Sequence, residues 1–267
     1  GTIDEFIGDA ILTIFGAPIA KPDDARRAVA CCLAMQKAMD DINAHNMAKG
    51  LPKLEMGIAL NTGEVTVGNI GSQRRLKYGV VGSHVNLTAR IESNTVGGQL
   101  LISESTLKLA GDDIKIGETY SIIAKGFPDP IVAHEILGIG GEYNIYLDEV
   151  DLALQEQETP LEVRYRVMKS KNDEGEEFEA CFPLVSPLGA LLRCDQELEA
   201  LTNVKMRLTS AEGEELEGDL YAKVVKGGTE ATLRFTNVPP AVDAYLSGLA
   251  GEAEPEGERS SDLMERD

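Results

Sequence analysis

The apolar periodicity of this chain changes once, near residue 160, and the two patterns require different architectures. In the first part, short apolar runs alternate with segments whose apolar residues recur every three or four positions. Ile3 to Ile7 and Ala10 to Phe15 read as two strands joined at Gly8-Asp9, and Gly16 and Pro18 close the pair. A helix opens at Asp23-Asp24, whose carboxylates suit a helix N-terminus, with an apolar stripe of Ala28, Cys32, Met35, Met39 and Ile42. Leu54 to Leu60, Glu64 to Val67, Tyr78 to Val81, Leu100 to Ser103, Lys115 to Ile123 and Ile131 to Leu137 read as strands. Helices are expected over Val85 to Ser93 and Glu104 to Ala110. This alternation predicts an α+β sandwich, with the Gly138 to Gly141 cluster as a boundary signal.

Beyond about Thr159 only strands follow: Glu162 to Met168, Glu177 to Pro183, Gly189 to Cys194, Val204 to Thr209, Glu217 to Val225 and Ala231 to Phe235. Turn signals every 8–12 residues or so predict a small barrel or sandwich, closed by a helix over Val242 to Leu249. The expected organisation is a first domain over 1–147, a linker over 148–159, a β domain over 160–249 and a disordered acidic tail over 250–267.

Charge divides the same way. Residues 1–141 carry 13 Lys+Arg against 16 Asp+Glu, and residues 142–267 carry 12 against 29, together giving the net −20. That balance argues against nucleic acid or an anionic membrane as a partner. No apolar run reaches 18 residues, so no transmembrane helix is expected. No signal peptide is visible, and the chain starts at Gly1, inside a motif, rather than at a methionine. The four cysteines form no C-x-x-C pair, and the three histidines have no metal-ligand spacing. Buried thiols in a reducing, cytoplasmic setting are expected, or the cytoplasmic face of a membrane-anchored parent.

Three stretches could carry chemistry. Phe6-Ile7-Gly8-Asp9 places a carboxylate at a hairpin tip, either as a metal ligand or as a turn residue bonding nearby backbone. Asn86 and Arg90, four apart, share a helix face and could jointly hold a phosphate or oxyanion, or could simply face solvent. Lys125-Gly126 lies in a tight loop, where a lysine is a phosphate contact or a solubilising charge. There is no G-x-x-x-x-G-K-S/T loop and no G-x-G-x-x-G, which disfavours a kinase, GTPase or dehydrogenase.

In this order and spacing the pieces resemble a known family. TIDEFIGDAILTIFGAP (2–18) and RRLKYGVVGSHVNLTARIES (74–93) resemble the two signature blocks of class III adenylate and guanylate cyclases. MGIALNTGEVTVGNIG and AKGFPDPIVAHEILGIGG are also similar to that family, over residues 1 to about 147. The resemblance implies a ferredoxin-like cyclase sandwich and a homodimer. Between its subunits two Mg²⁺ or Mn²⁺ ions, held by two aspartates, bind a nucleoside triphosphate. The ribose 3′-hydroxyl attacks the α-phosphate and pyrophosphate leaves. It further implies that Asp9 is the second metal-binding aspartate, Asn86 orients the ribose, Arg90 stabilises the pentavalent phosphate and Lys125 contacts the terminal phosphates. The first metal-binding aspartate, with its strand and phosphate loop, is expected upstream of residue 1. Ser83 stands where the family usually has aspartate.

For the base, the family uses the positions of Glu5 and Gly79. A carboxylate accepts from guanine N1–H and its 2-amino group, whereas glycine reads nothing, so GTP is favoured modestly over ATP. The alternatives are an adenylate cyclase, or a catalytically incomplete module that dimerises or binds nucleotide. Residues 160–249 resemble a PilZ domain, the six-stranded cyclic di-GMP module, through Leu184-Val185-Ser186-Pro187-Leu188-Gly189 against D/N-x-S-x-x-G. Leu184 replaces the polar residue and Arg164 and Arg166 are only two apart, so cyclic di-GMP is not the expected ligand. An interaction module is expected instead, with a sensor domain upstream in the parent.

Overall fold

The computed structural model describes residues 1–51, 53–72, 74–123, 127, 129–148, 151–168 and 175–251. The chain divides into two compact units, Gly1–Val150 and Asp151–Asp267.

The first unit opens with the expected hairpin, β1 (Thr2–Ile7) against β2 (Ala10–Ile14). Gly8 sits in the turn at φ +65°, a conformation that glycine adopts without the Cβ penalty. Helix α1 spans Asp24–Ala48. A five-stranded sheet runs β3 (Ile58–Leu60), β6 (Leu100–Ser103), β8 (Ile131–Ile139), β7 (Ile114–Ile122), with β9 (Ile145–Tyr146) also on β8. Only β3 and β6 pair in parallel. β4 (Thr66–Ser72) and β5 (Arg75–Val81) form a second hairpin, which leads into α2 (Ser83–Glu92). Helix α3 (Glu104–Ala110) follows β6 directly, with Ser103 Oγ accepting from Thr106 N–H as its cap.

The core of this unit forms where α1 and α3 meet the sheet: Val29 and Leu33 pack with Leu100, Ile102, Ile136 and Ile139. The helix stripe differs from the one read in the sequence. Met35 and Ile42 are exposed, and Gln36 is buried in their stead. Its amide donates to the Met56 carbonyl at 2.7 Å and the Gln99 carbonyl at 3.2 Å, so a polar side chain is satisfied inside the core. At the other end, Arg26 pairs with Asp113 at 2.9 Å and donates to the Gly140 carbonyl, tying α1 to the β7–β8 edge.

The second unit is a closed antiparallel barrel in the order β10-β11-β12-β15-β14-β13. Its strands are β10 (Gln155–Met168), β11 (Glu177–Ser186), β12 (Gly189–Leu198), β13 (Asn203–Leu208), β14 (Leu220–Lys226) and β15 (Gly228–Asn237). Closure pairs every strand edge, which removes the exposed backbone that invites association. Alternate residues, among them Val163, Tyr165, Phe182, Leu192, Met206 and Leu233, fill the interior. Helix α4 (Pro240–Gly251) adds Val242 and Leu246 to the same core. The six strands and closing helix agree with the barrel expected for this region. β10 begins at Gln155, inside the stretch read as linker. The rest of the acidic tail lies outside the described residues.

Candidate active site

Asp9 is exposed at the tip of the β1–β2 hairpin and has no hydrogen-bond or ion-pair partner among the described residues. Asn86 and Arg90 both lie on α2, one turn apart and exposed, and neither side chain has such a partner among the described residues. Lys125 lies outside the described residues. A cleft of about 280 Å³ runs between the hairpin and α2, lined by Leu12 and Ile14 of β2, Leu60 of β3, Val80 of β5, and His84 and Thr88 of α2. Asn61 anchors the start of α2 beside it, donating to the His84 carbonyl at 3.0 Å.

Glu5 and Gly79 each lie beside a residue that sequence reasoning missed. Glu5 makes an ion pair with Lys77 of β5 at 2.8 Å, each about half exposed. Lys77 and Gly79 are two apart on β5 and so share a face, the parity signal by which the sequence could have flagged Lys77. Asp4 is the unmatched residue where the β1–β2 register shifts, a β-bulge that re-aims its side chain. Its Oδ1 is buried with no hydrogen-bond partner, and a Cβ on the buried Gly79 would sit 3.4 Å from it. The glycine therefore leaves room that the Asp4 carboxylate borders.

The metal expectation fits only in part. Asp9 is the hard-oxygen donor that Mg²⁺ and Mn²⁺ take. Among the described residues, however, no group of three or more His, Cys, Asp or Glu could hold an ion. These residues alone do not make a two-ion site.

The family described as the adenylate and guanylate cyclase catalytic domain matches residues 4–137. The chain belongs to that family. The solved structure of the guanylyl cyclase Cya2 is 54% identical with a TM-score of 0.54, the match covering 55% of this chain and 75% of that one. Adenylate cyclase 1 of Rhizobium meliloti (strain 1021) is 30% identical over 141 residues, 52% of this chain and 21% of the relative. The adenylate cyclase of Anabaena cylindrica is 34% identical over 116 residues, 40% and 22%. The chain thus spans about a fifth of the length of these curated relatives. The matched solved structure is named a guanylyl cyclase and these relatives adenylate cyclases, so membership does not choose the base.

In the barrel, the S-x-x-G stretch is a turn. Ser186 Oγ accepts from Leu188 N–H at 3.1 Å, and a side chain at Gly189 would run into the Leu233 carbonyl. Arg164 and Arg166 both pair with Glu177. Among the described residues no helix is long and apolar enough to cross a membrane.

Proposed function

We propose that the first unit is the catalytic part of a nucleotide cyclase that converts GTP, in preference to ATP, into the 3′,5′-cyclic nucleotide and pyrophosphate. The observation that carries the reading is the exposed pair on α2: an amide and a guanidinium one turn apart, with no partner among the described residues, in a chain of this family. In this reading Asn86 orients the ribose so that its 3′-oxygen lies in line with the α-phosphorus. Arg90 donates to the α-phosphate oxygens as charge builds there. The 3′-oxygen–phosphorus bond forms, the bond to the β-phosphate breaks, and pyrophosphate leaves. Asp9 is one ligand for Mg²⁺ or Mn²⁺, Lys125 contacts the terminal phosphates, and the remaining metal ligands come from outside the residues described.

Large apolar side chains exposed on β1 and β5, among them Phe6 at 67%, Ile7 at 58% and Leu76 at 59%, support a homodimer with shared sites. The barrel serves as an interaction module, and a sensor domain and cytoplasmic location complete the reading. Asp9 by itself cannot hold two ions, so this 267-residue chain is expected to be inactive alone. Product analysis with GTP and ATP in Mg²⁺ and Mn²⁺ decides both points. The full-length protein should release cyclic GMP faster than cyclic AMP, and the isolated chain neither. A preference for ATP would make it an adenylate cyclase, and no product from the full-length protein would leave a nucleotide-binding module.

A further inference from the structure

We infer that Asn61 and His84 are positioning residues: together they fix the rotation of α2 about its own axis, and with it the direction in which Asn86 and Arg90 point. The inference rests on the proposed reading of that pair as the groups that hold the ribose and the α-phosphate.

A helix turns about 100° per residue, so His84, Thr88 and Ile91 share one face of α2 while Asn86 and Arg90 point away from it. Burial follows the same division. Ile91 is fully buried and His84 and Thr88 are half-buried, whereas Asn86 and Arg90 are exposed. The start of the helix has little of its own to fix it. Its N-cap, Gly82, has no side chain to cap with, and the first turn carries no acidic residue.

Asn61 supplies the hold from outside. It follows β3 directly, where Leu60 pairs with the buried Ile102 of β6, so it stands on the rigid part of the unit. Its Nδ2 lies 3.0 Å from the His84 carbonyl oxygen, a group that only accepts. The amide therefore presents its N–H groups to α2 and turns Oδ1 toward Ser105 Oγ, at 3.5 Å. His84 Nδ1 is left as the acceptor of a longer contact, 3.4 Å from the same nitrogen. The His84 ring also lies against Gly63, where a Cβ would run into it. Asn61 thus draws the first turn of α2 toward β3, and the ring resting on Gly63 sets how close it comes. A rotation of about 20° would sweep atoms on the helix surface, roughly 5–6 Å from the axis, by about 2 Å. A misplacement on the order of 1 Å is enough to cost roughly 10²-fold in rate.

The competing role is structural: the contacts stabilise the unit and leave turnover per folded molecule unchanged. Asn61→Asp keeps the shape of the side chain and loses its donors, setting an oxygen against the His84 carbonyl. His84→Ala removes the spacer, and His84→Phe returns a ring against Gly63. For each full-length variant, kcat for cyclic nucleotide formation is measured per folded molecule, affinity by titration with a fluorescent GTP analogue, and melting temperature by calorimetry. In Asn61→Asp and His84→Ala, kcat should fall roughly 10- to 100-fold. Affinity for the analogue should change by less than about 3-fold, because the misplaced groups act mainly in the transition state. His84→Phe should recover most of the loss. Wild-type kcat with a lowered melting temperature, or affinity losses as large as those in kcat, overturns the positioning role and leaves the reading of Asn86 and Arg90 intact. A His84→Phe variant as impaired as His84→Ala overturns the part assigned to the ring. No cyclic nucleotide from the wild type with Mg²⁺ or Mn²⁺ overturns the reading of Asn86 and Arg90 itself, and this inference with it.

Discussion

Asn86 and Arg90 sit one turn apart on α2 with no competing partners among the described residues, so each is available to a ligand whose charge changes during reaction. Contacts that strengthen as charge develops lower the barrier more than they tighten the ground state. Asn86→Ala and Arg90→Ala are each expected to reduce kcat about 10²-fold in the full-length protein with KM nearly unchanged. Steady-state kinetics with GTP checks this, and wild-type kcat in either variant removes that residue from the mechanism. A second contrast at this scale is between adjacent thiols on α1. Cys31 is exposed and Cys32 is buried, and burial, with a smaller contribution from Cys31, pushes the Cys32 thiol up to about 12. Since the thiolate is the reactive form, iodoacetamide at neutral pH should label Cys31 and spare Cys32 until the protein is unfolded. Peptide mass spectrometry reads both sites, and equal native labelling would contradict the burial of Cys32.

Secondary elements were legible in the sequence where local chemistry alone fixes them. The Gly8-Asp9 turn between two apolar runs gave the first hairpin, and the six strand-length runs after residue 160 gave the barrel. The α1 stripe was misread because Gln36 looks polar, and its burial depends on the Met56 and Gln99 carbonyls, which only the folded chain brings near. β9 is two residues long and exists because β8 offers it an edge, so no local pattern announces it. The positions of Asp9, Asn86 and Arg90 on their elements followed from spacing, whereas the Glu5–Lys77 pair joins residues 72 apart and could not. In the barrel, β10 and β13 set Arg164 opposite Arg207 and Arg166 opposite Lys205, like charges that would repel. Glu177, Glu215 and Asp219 interleave with them: Lys205 lies 2.7 Å from Asp219, Arg207 lies 3.0 Å from Glu215, and Arg164 also pairs with Glu215. The hydrogen bond from Lys205, with help from Arg207, holds the Asp219 carboxyl below its ordinary value. A depressed carboxylate stabilises the fold above its unfolded value of about pH 4, and the gain is lost as pH falls through the folded value. The barrel should therefore melt at a lower temperature at pH 3 than at pH 6. Asp219→Asn should lose up to about 1 kcal/mol at pH 6 and show a flatter acid profile, since solvent reaches all three groups and screens the pairs. Calorimetry at the two pH values tests it, and an unchanged acid profile in Asp219→Asn would remove Asp219 from the account.

At the scale of the whole molecule, the open question is whether one chain or two build each site. Asp9 stands at the tip of one hairpin and Arg90 on α2, and Phe6, Ile7, Leu76 and Tyr78 leave apolar surface exposed on β1 and β5. Such surface is stabilised by a self-complementary partner, and a two-fold dimer then contains two equivalent sites. If each site takes Asp9 from one chain and Arg90 from the other, Asp9→Ala and Arg90→Ala damage opposite halves. A mixed dimer then has one site carrying both lesions and one site carrying neither. Random pairing of equal amounts makes half of the dimers mixed, and half of their sites intact, so about a quarter of wild-type activity should return on mixing two full-length variants that are each nearly inactive. If both residues served a site within one chain, every site in the mixture would carry one lesion and nothing would return. Cyclic nucleotide formation measured against the mixing ratio therefore separates the two geometries. The shared site predicts a maximum at equal amounts, and a flat line at zero would place Asp9 and Arg90 in the same subunit's site.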